Sequence, residues 1–508
     1  GFTFWQALLS LLLTLLVALP AAWIFARFEF RGKGLLRALS AVPFVLPTLV
    51  VAAAFSALLG PRGWINLALM DWLHLDTPPI AFMNSLGAIL VAHVFYNATI
   101  VVRMVGDFWG RLDRRTEQAA RSLGASTWQA FLRVSLPMVM PAILAAALLV
   151  FIFDFTSFGV VLILGGPAFS TLEVEIYTQT TALFNLPLAA TLSIIQLAAT
   201  LLMSLMYTRL SAGLSRPLGM QSESARRTPL KAAKGRIWLL AYLVLFAFFF
   251  AAPLLGLAGR SVSRLEAERQ QTQAVNTGFT LDHYRTLFED QDDLFFAKPS
   301  QALKVSVLYG GATVLLTMLI GLPAAWGLAK RDRSLAARVL DPLLMLPIGT
   351  SAVTLGLGFI VALDTPPLDL RASPLLVPLA HTLVALPFVV RSLTPALKSI
   401  KPELRQAAAV LGADAGQVLR KVDLPLVGRA VLVAASFAFS ISLGEFGATA
   451  LIARPEYPTI PTMIFRLLGQ PGAAHYGQAM ALSTILMLTT AGAILAIERL
   501  RFAEVGEF

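Results

Sequence analysis

The residues best placed to do chemistry are carboxylates in places where a carboxylate is costly. FDFTSFG sets Asp154, Thr156, Ser157 and Phe158 inside an otherwise apolar run, and SLGEFGAT sets Ser442, Glu445, Phe446 and Thr449 inside another. An ionisable group within a bilayer costs on the order of 3 kcal/mol unless it is paired or wetted, so by default it marks a pathway for a polar solute. The alternative is a helix–helix hydrogen bond, or a carboxylate close enough to the interface to be hydrated, and both readings stay open for Asp154 and Glu445. His93 and Asn97 in AHVFYN, with His381, are weaker pathway candidates, because a neutral histidine bonded within a helix bundle is the commoner case. Arg103 and Arg391 fit snorkelling to headgroups. Covalent chemistry has no footing: there is no G-x-x-x-x-G-K-[ST], no H-E-x-x-H and no G-x-S-x-G, and the five histidines lack ligand spacing. No catalytic residue, no metal site and no cofactor are expected in this chain.

The elements that must position those residues follow from composition. Of 508 residues, 57% are hydrophobic and only 14% charged, and mean hydropathy is +0.74. That is far outside soluble globular usage and defines an integral membrane protein. The absence of cysteine excludes a disulfide framework and a thiolate metal site. Apolar runs of about 20 residues mark spans near 4–26, 38–60, 82–105, 138–164, 185–208, 236–258, 301–329, 338–363, 375–397, 426–453 and 476–497. These are too long for barrel strands, whose signature is short alternation. The expected fold is all-α, a polytopic membrane protein of about eleven transmembrane helices.

Charge orients the spans. Arg27, Arg31, Lys33 and Arg37, then Arg111, Arg114, Arg115 and Arg121, then Arg209, Arg216, Arg226, Arg227, Lys231, Lys234 and Arg236 fall on one side. Lys330, Arg331, Arg333 and Arg338 join them, as do Lys398, Lys401, Arg405, Arg420 and Lys421. By the positive-inside rule this side is cytoplasmic, so the net charge of +11 reflects loops rather than a nucleic-acid partner. The opposite loops carry Asp71, Asp76, Glu173, Glu175, Glu289, Asp290, Asp292 and Asp293.

Two of the cytoplasmic loops are copies. TEQAARSLGASTWQAFLRVSLPMVMP, from Thr116 to Pro141, and RQAAAVLGADAGQVLRKVDLP, from Arg405 to Pro425, both read Q-A-A, three residues, G-A, eight residues, V-x-L-P. Gln118, Ala119, Ala120, Gly124, Ser126 and Pro137 match Gln406, Ala407, Ala408, Gly412, Asp414 and Pro425 at a constant offset of 288. In each copy the glycine can take the left-handed conformation that stops a short helix. Ser126 with Gln129, and Asp414 with Gln417, form capping boxes that start the next one. Pro137 and Pro425 are expected to end each unit. The result is a helix–turn–helix whose small alanine face suits close approach by another protein.

The repeat reaches further. His93 matches His381, Arg103 matches Arg391, Phe158 matches Phe446 and Thr171 matches Thr459 at 288, while LPAAW recurs at Leu19 and Leu322, an offset of 303. Two homologous halves are therefore expected, at 1–210 and 236–508, joined by a cytoplasmic linker at 211–235. The second half has a leading span that the first lacks, so a further helix is expected before residue 1 and two sets of six in the natural chain.

These loops resemble the E-A-A, three residues, G, nine residues, I-x-L-P motif of binding-protein-dependent ABC importer permeases. Gln118 and Gln406 stand at the glutamate position, with Glu117 preceding the first and Arg405 the second, and Val134 and Val422 replace isoleucine. FTFWQALLS, AHVFYN, SFGVVLILGGP, STLEVEIY and LGEFGATALI make the chain most similar to fused permeases of the thiamine and ferric-iron importers. The resemblance implies two tandem type I permease halves and two ABC ATPase subunits docked on the cytoplasmic loops. It also implies a periplasmic or lipid-anchored substrate-binding protein and a prokaryotic inner-membrane location. The implied substrate is thiamine or its phosphates, or ferric iron, with molybdate, sulfate or a polyamine as alternatives. An ion-gradient-driven carrier is the rival class, since it too would show a repeat and intramembrane carboxylates. It would not need two matched docking loops.

Overall fold

A computed structural model describes residues 1–113, 115–212, 228–229, 235–267, 274–289, 297–330, 340–341, 343–347, 350–363, 370–371 and 373–502. Most of the linker expected at 211–235 lies outside the described residues, as do Arg114, Asp290, Asp292, Asp293, Arg331, Arg333 and Arg338. Among the described residues the fold is helical apart from two small strand pairs. Residues 28–29 pair in parallel with 228–229, and Ser263–Ala267 pairs antiparallel with Ala274–Phe279. The second pair is a hairpin in a stretch that carries no alternating signal long enough to announce it.

Nine helices among the described residues are long and apolar enough to cross a membrane. Phe2–Arg27 and Leu86–Arg111 have 26 residues each, roughly 39 Å at 1.5 Å per residue, against about 30 Å of hydrocarbon. In lipid the backbone must satisfy its own hydrogen bonds, and a helix does so within one segment. The stretch expected to span at 338–363 contains the shorter apolar helix Ala352–Ala362, and the one expected at 476–497 lies within the 30-residue helix Ala473–Phe502.

Three expected spans are broken rather than continuous. Lys33–Val45 and Thr48–Leu59 meet at Leu46-Pro47, because a proline ring disfavours the helical conformation of the residue before it. Leu136–Phe155 stops at Thr156 and resumes in a π-helical turn at Val161–Gly165. Leu424–Gly444 stops at Glu445, which is extended, and Gly447–Ile452 follows.

The chain forms two compact units, one of residues 1–44, 51–175 and 194–259, the other of 45–50, 176–193 and 260–508. In the first unit, Phe2–Arg27, Leu86–Arg111 and Leu136–Phe155 pack on one another. Their shared face is small: Ala7, Ala18, Ala21, Ala22, Ala98 and Ala145 are fully buried. Arg236–Ser261 also packs in this unit, with Phe246 against Phe25 and Phe250 against Phe95. In the second unit Pro299–Lys330, Leu376–Lys398 and Leu424–Gly444 repeat the three-helix arrangement. Ala325, Ala385, Ala434 and Ala438 are fully buried there beside Val389 and Leu393.

Small residues let helix backbones approach in lipid. A Cβ at Gly106 would lie 3.3 Å from the Ala22 carbonyl oxygen, which is backbone and cannot step aside. Gly106→Leu is therefore expected to destabilise the first unit by about 1–3 kcal/mol, the usual cost of overpacking. Gly311→Leu, where nothing lies within 4 Å of the added Cβ, serves as the control. Thermal unfolding in detergent should show a lower midpoint for the first variant alone; equal midpoints would contradict the close approach.

Candidate functional sites: paired loops and buried polar clusters

The two copied loops adopt the same local structure. Arg115–Ser122 and Pro402–Val410 are short helices with no buried residue. Gly124 ends the first at φ +92° and Gly412 the second at φ +83°. Around each glycine a Schellman pair forms. Ala125 N–H donates to the Ala120 carbonyl at 3.1 Å, and Ala413 N–H to that of Ala408 at 3.0 Å. Gly124 N–H reaches Arg121 at 3.1 Å and Gly412 N–H reaches Ala409 at 2.9 Å. The second alanine of each Q-A-A thus supplies the carbonyl that closes the turn.

Both capping boxes are present. Gln129 N–H donates to Ser126 Oγ at 3.2 Å and Ser126 N–H to Gln129 Oε1 at 3.0 Å. In the second copy Gln417 N–H donates to Asp414 Oδ1 at 2.8 Å and Asp414 N–H to Gln417 Oε1 at 3.2 Å. Gln118, Ala119, Gln406 and Ala407 are exposed, and Ala120 and Ala408 half-buried. Leu123 and Leu411, repeat partners, stand 89% and 87% exposed at the turns.

Pro137 and Pro425 do not end the loops as expected. Each is the second residue of the following span, which the short capped helix joins through a π-helical turn, Phe131–Ser135 or Leu419–Asp423. The proline has no N–H to give the carbonyl four residues back, at Arg133 or Lys421, and its ring crowds that carbonyl. The widened turn lies over those residues, so the helix continues instead of stopping.

At the helix breaks, the polar residues singled out in the apolar runs come together around the two histidines. In the first unit His93 Nδ1 lies 2.9 Å from Ser10 Oγ and 3.4 Å from Asp154 Oδ1. His93 Nε2 lies 2.8 Å from Ser157 Oγ. Asn97 Nδ2 donates to Asp154 Oδ1 at 2.6 Å, and Gln6 Nε2 donates to the Asp154 carbonyl at 2.7 Å. In the second unit His381 Nδ1 lies 2.7 Å from Ser442 Oγ, and Nε2 lies 2.7 Å from Thr449 Oγ1 and 3.2 Å from Glu445 Oε2. Ser442 Oγ donates to Thr313 Oγ1 at 3.2 Å.

The two clusters are repeats with their acids exchanged. Asp154 corresponds to Ser442 and Ser157 to Glu445, at 288, while Ser10 corresponds to Thr313 at 303. Each histidine therefore bridges one acid and one serine across a break, with the order reversed. Glu445 also caps the helix that follows, accepting from the N–H groups of Ala448 at 2.9 Å and Thr449 at 3.0 Å and from Thr449 Oγ1 at 2.6 Å. Asp154 and Thr449 are fully buried, and His93, Asn97, Ser442, Glu445, Phe158 and Phe446 nearly so. Phe446 packs on Phe465 with ring centroids 5.4 Å apart.

Some partners lay outside the sequence reading. Thr3 Oγ1 accepts from Leu172 N–H at 3.0 Å, and Ser306 Oγ accepts from Ile460 N–H at 2.8 Å. Ser10, Gln6, Thr3 and their counterparts Thr313 and Ser306 sit in helices read only as apolar. The 303 offset, extended upstream of LPAAW to the start of the first helix, pairs Ser10 with Thr313 and Thr3 with Ser306.

Tandem helical bundles, each with a buried polar cluster and an exposed, doubly capped loop, define a polytopic membrane protein built as two repeats. Residues 18–216 match the family described as binding-protein-dependent transport system inner membrane component. The thiamine transport system permease protein ThiP of Brucella abortus is 28% identical over 470 residues, 92% of this chain and 81% of that protein. ThiP of Escherichia coli is 27% identical over 492 residues, 96% of this chain and 85% of that one. A probable ABC transporter permease protein of Sinorhizobium fredii is 27% identical over 517 residues, 99% and 88%. Over most of its length the chain is thus similar to permeases of binding-protein-dependent ABC importers, and its helices long and apolar enough to cross a membrane fit a multi-pass protein of the inner membrane. Permeases of this kind are transport components, not enzymes, and work with a substrate-binding protein and an ATPase.

Two predictions follow from these geometries. Added Cβ atoms at Gly124 and Gly412 meet nothing within 4 Å, so the obstacle to a side chain is the left-handed backbone alone, about 1–2 kcal/mol and more for a β-branched residue. Gly124→Val or Gly412→Val should cut uptake at least tenfold while the protein still accumulates in the membrane; normal uptake by either would remove the loops from the transport cycle. His381→Leu leaves Glu445, Ser442 and Thr449 with fewer buried partners and should cost on the order of 1–3 kcal/mol. An unchanged unfolding midpoint in detergent would show that the cluster does not hold the break.

Proposed function

We propose that this chain forms the translocation pathway of an ATP-driven importer of thiamine or its phosphates. The observation that carries the reading is the pair of loops, each presenting an exposed leucine at Leu123 or Leu411 on a turn fixed by a left-handed glycine and a capping box. Two matched surfaces suit two copies of one partner, and ATPase subunits on the cytoplasmic side fit them. Relatives whose names specify thiamine transport support the substrate.

On this reading ATP is hydrolysed in the partner subunits, and the permease itself takes no cofactor. A periplasmic or lipid-anchored binding protein delivers substrate to the outer face. Closure of the ATPase pair pushes on the helices Thr127–Ala130 and Ala415–Val418, and the continuous helix through each π-helical turn carries that push into Leu136–Phe155 and Leu424–Gly444. The spans end at the breaks held by His93 and His381. Asp154, Ser157, Ser442, Glu445 and Thr449 thus hold fixed the points at which a moving span can bend beside the pathway.

The test is ATP hydrolysis by the purified complex in lipid, with its binding protein loaded with thiamine or with ferric iron. Stimulation by the thiamine-loaded protein alone is expected. Stimulation by the iron-loaded protein instead would keep the importer and replace the substrate. Uptake driven by an ion gradient, with no ATPase bound, would overturn the proposal.

A further inference from the structure

The base of each loop carries a second repeated contact, and its charges are reversed between the halves. In the first half Glu117, in the first turn of its short helix, pairs with Arg27 and accepts from Ser135 Oγ at 3.0 Å. In the second half Arg405 holds the matching position, and its Nε donates to Asp423 Oδ1 at 2.8 Å. Glu117 matches Arg405 and Ser135 matches Asp423, both at 288. Each contact closes 18 residues, from the entry of the loop to the last residue of its π-helical turn.

A cation over tryptophan completes both. Arg27 lies 5.9 Å from the centroid of Trp23. Arg405 lies 5.6 Å from that of Trp326, the repeat partner of Trp23 at 303. The first half takes this cation from its opening span, the second from the loop. The sites are sheltered, with the Glu117 side chain 12% and that of Asp423 1% exposed. Removing one member of a sheltered charge pair strands the other, which costs more than the intact pair contributes.

We infer that Glu117, Arg27 and Ser135 in one half, and Arg405 and Asp423 in the other, are positioning residues that clasp each loop to the span after it, so that a docked partner's movement reaches that span. The part concerning the partner rests on the importer reading. Each clasp is a set. In sequence the position of Arg27 is basic in the second half too, where residue 330 is lysine, so the three matched positions read basic, acidic, neutral in the first half and basic, basic, acidic in the second. Glu117→Arg with Ser135→Asp gives the first half the charges of the second. Arg405→Glu with Asp423→Ser does the reverse. The charges should be exchangeable together and not one residue at a time: Glu117→Arg alone sets a second cation against Arg27, and Arg405→Glu alone faces a buried Asp423.

Two measurements on the full chain test this. Hydrogen exchange over 115–135 and 403–423 in the lipid-embedded protein needs neither partner nor substrate. Each single variant should exchange about tenfold faster in its own loop, and each double should return to within about twofold of the parent. In the assembled complex, thiamine moved per ATP hydrolysed should fall at least fivefold in the singles and recover in the doubles. Singles that exchange like the parent, or doubles that do no better than singles or fail to accumulate in the membrane, would overturn the clasp. Exchange that follows the pattern while transport per ATP stays constant would overturn its role in coupling. A parent complex without ATP-driven transport would refute the importer reading, and the exchange data would still decide whether the clasp exists.

Discussion

A helix that stops inside a membrane leaves backbone and side-chain polar groups that lipid cannot satisfy, and the rest of this structure depends on how that debt is met. Backbone groups at the breaks are met by Gln6, which donates to the Asp154 carbonyl, and by Glu445, which accepts from the Ala448 and Thr449 N–H groups, while one histidine in each half ties the polar side chains together. His93 spans the break after Phe155 by reaching Asp154 and Ser157, and His381 spans the break at Glu445 by reaching Ser442, Glu445 and Thr449. The opening helix of each bundle adds a hydroxyl, Ser10 or Thr313. With those bonds made, a span can end in mid-bundle and the chain can leave in a new direction.

The two halves keep positions and exchange partners. Acid and serine trade places around the histidine, and acid and base trade places at the loop. Such exchange is what a pairing requirement produces, because a contact survives when both members change and fails when one does. An acid is present one residue before Gln118 in the first loop, at Glu117, where it is turned back onto Arg27 and Ser135. What both loops keep is the part that sets shape: the glycines, the alanine carbonyls of the turns and a capping box, with serine or aspartate as its N-cap.

Much of this was legible in the residues. Span length follows from apolar runs, the left-handed glycines from their place after a short helix, and the capping boxes from Ser126–Gln129 and Asp414–Gln417. These are local effects, and local sequence carries them. The breaks were not legible, since a proline or a glutamate within an apolar run fits either a kink or an end, and the choice depends on neighbours far along the chain. The continuation through Pro137 and Pro425 was missed for a related reason: a proline two residues into a span looks like a stop until the widened turn before it is seen. The readings left open for Asp154 and Glu445 could be compared only once His93 and His381 were placed beside them. The linker at 211–235 and the charges grouped with it lie largely beyond the described residues.

The most direct check of the central claim, that two loops of one chain each seat an ATPase subunit, is the composition of the purified complex by native mass spectrometry. The account predicts two ATPase subunits bound to each permease chain, reduced to one when Leu123 or Leu411 alone is changed to Asp and to none when both are. A parent complex holding a single ATPase, or two retained after both leucines are changed, would contradict it.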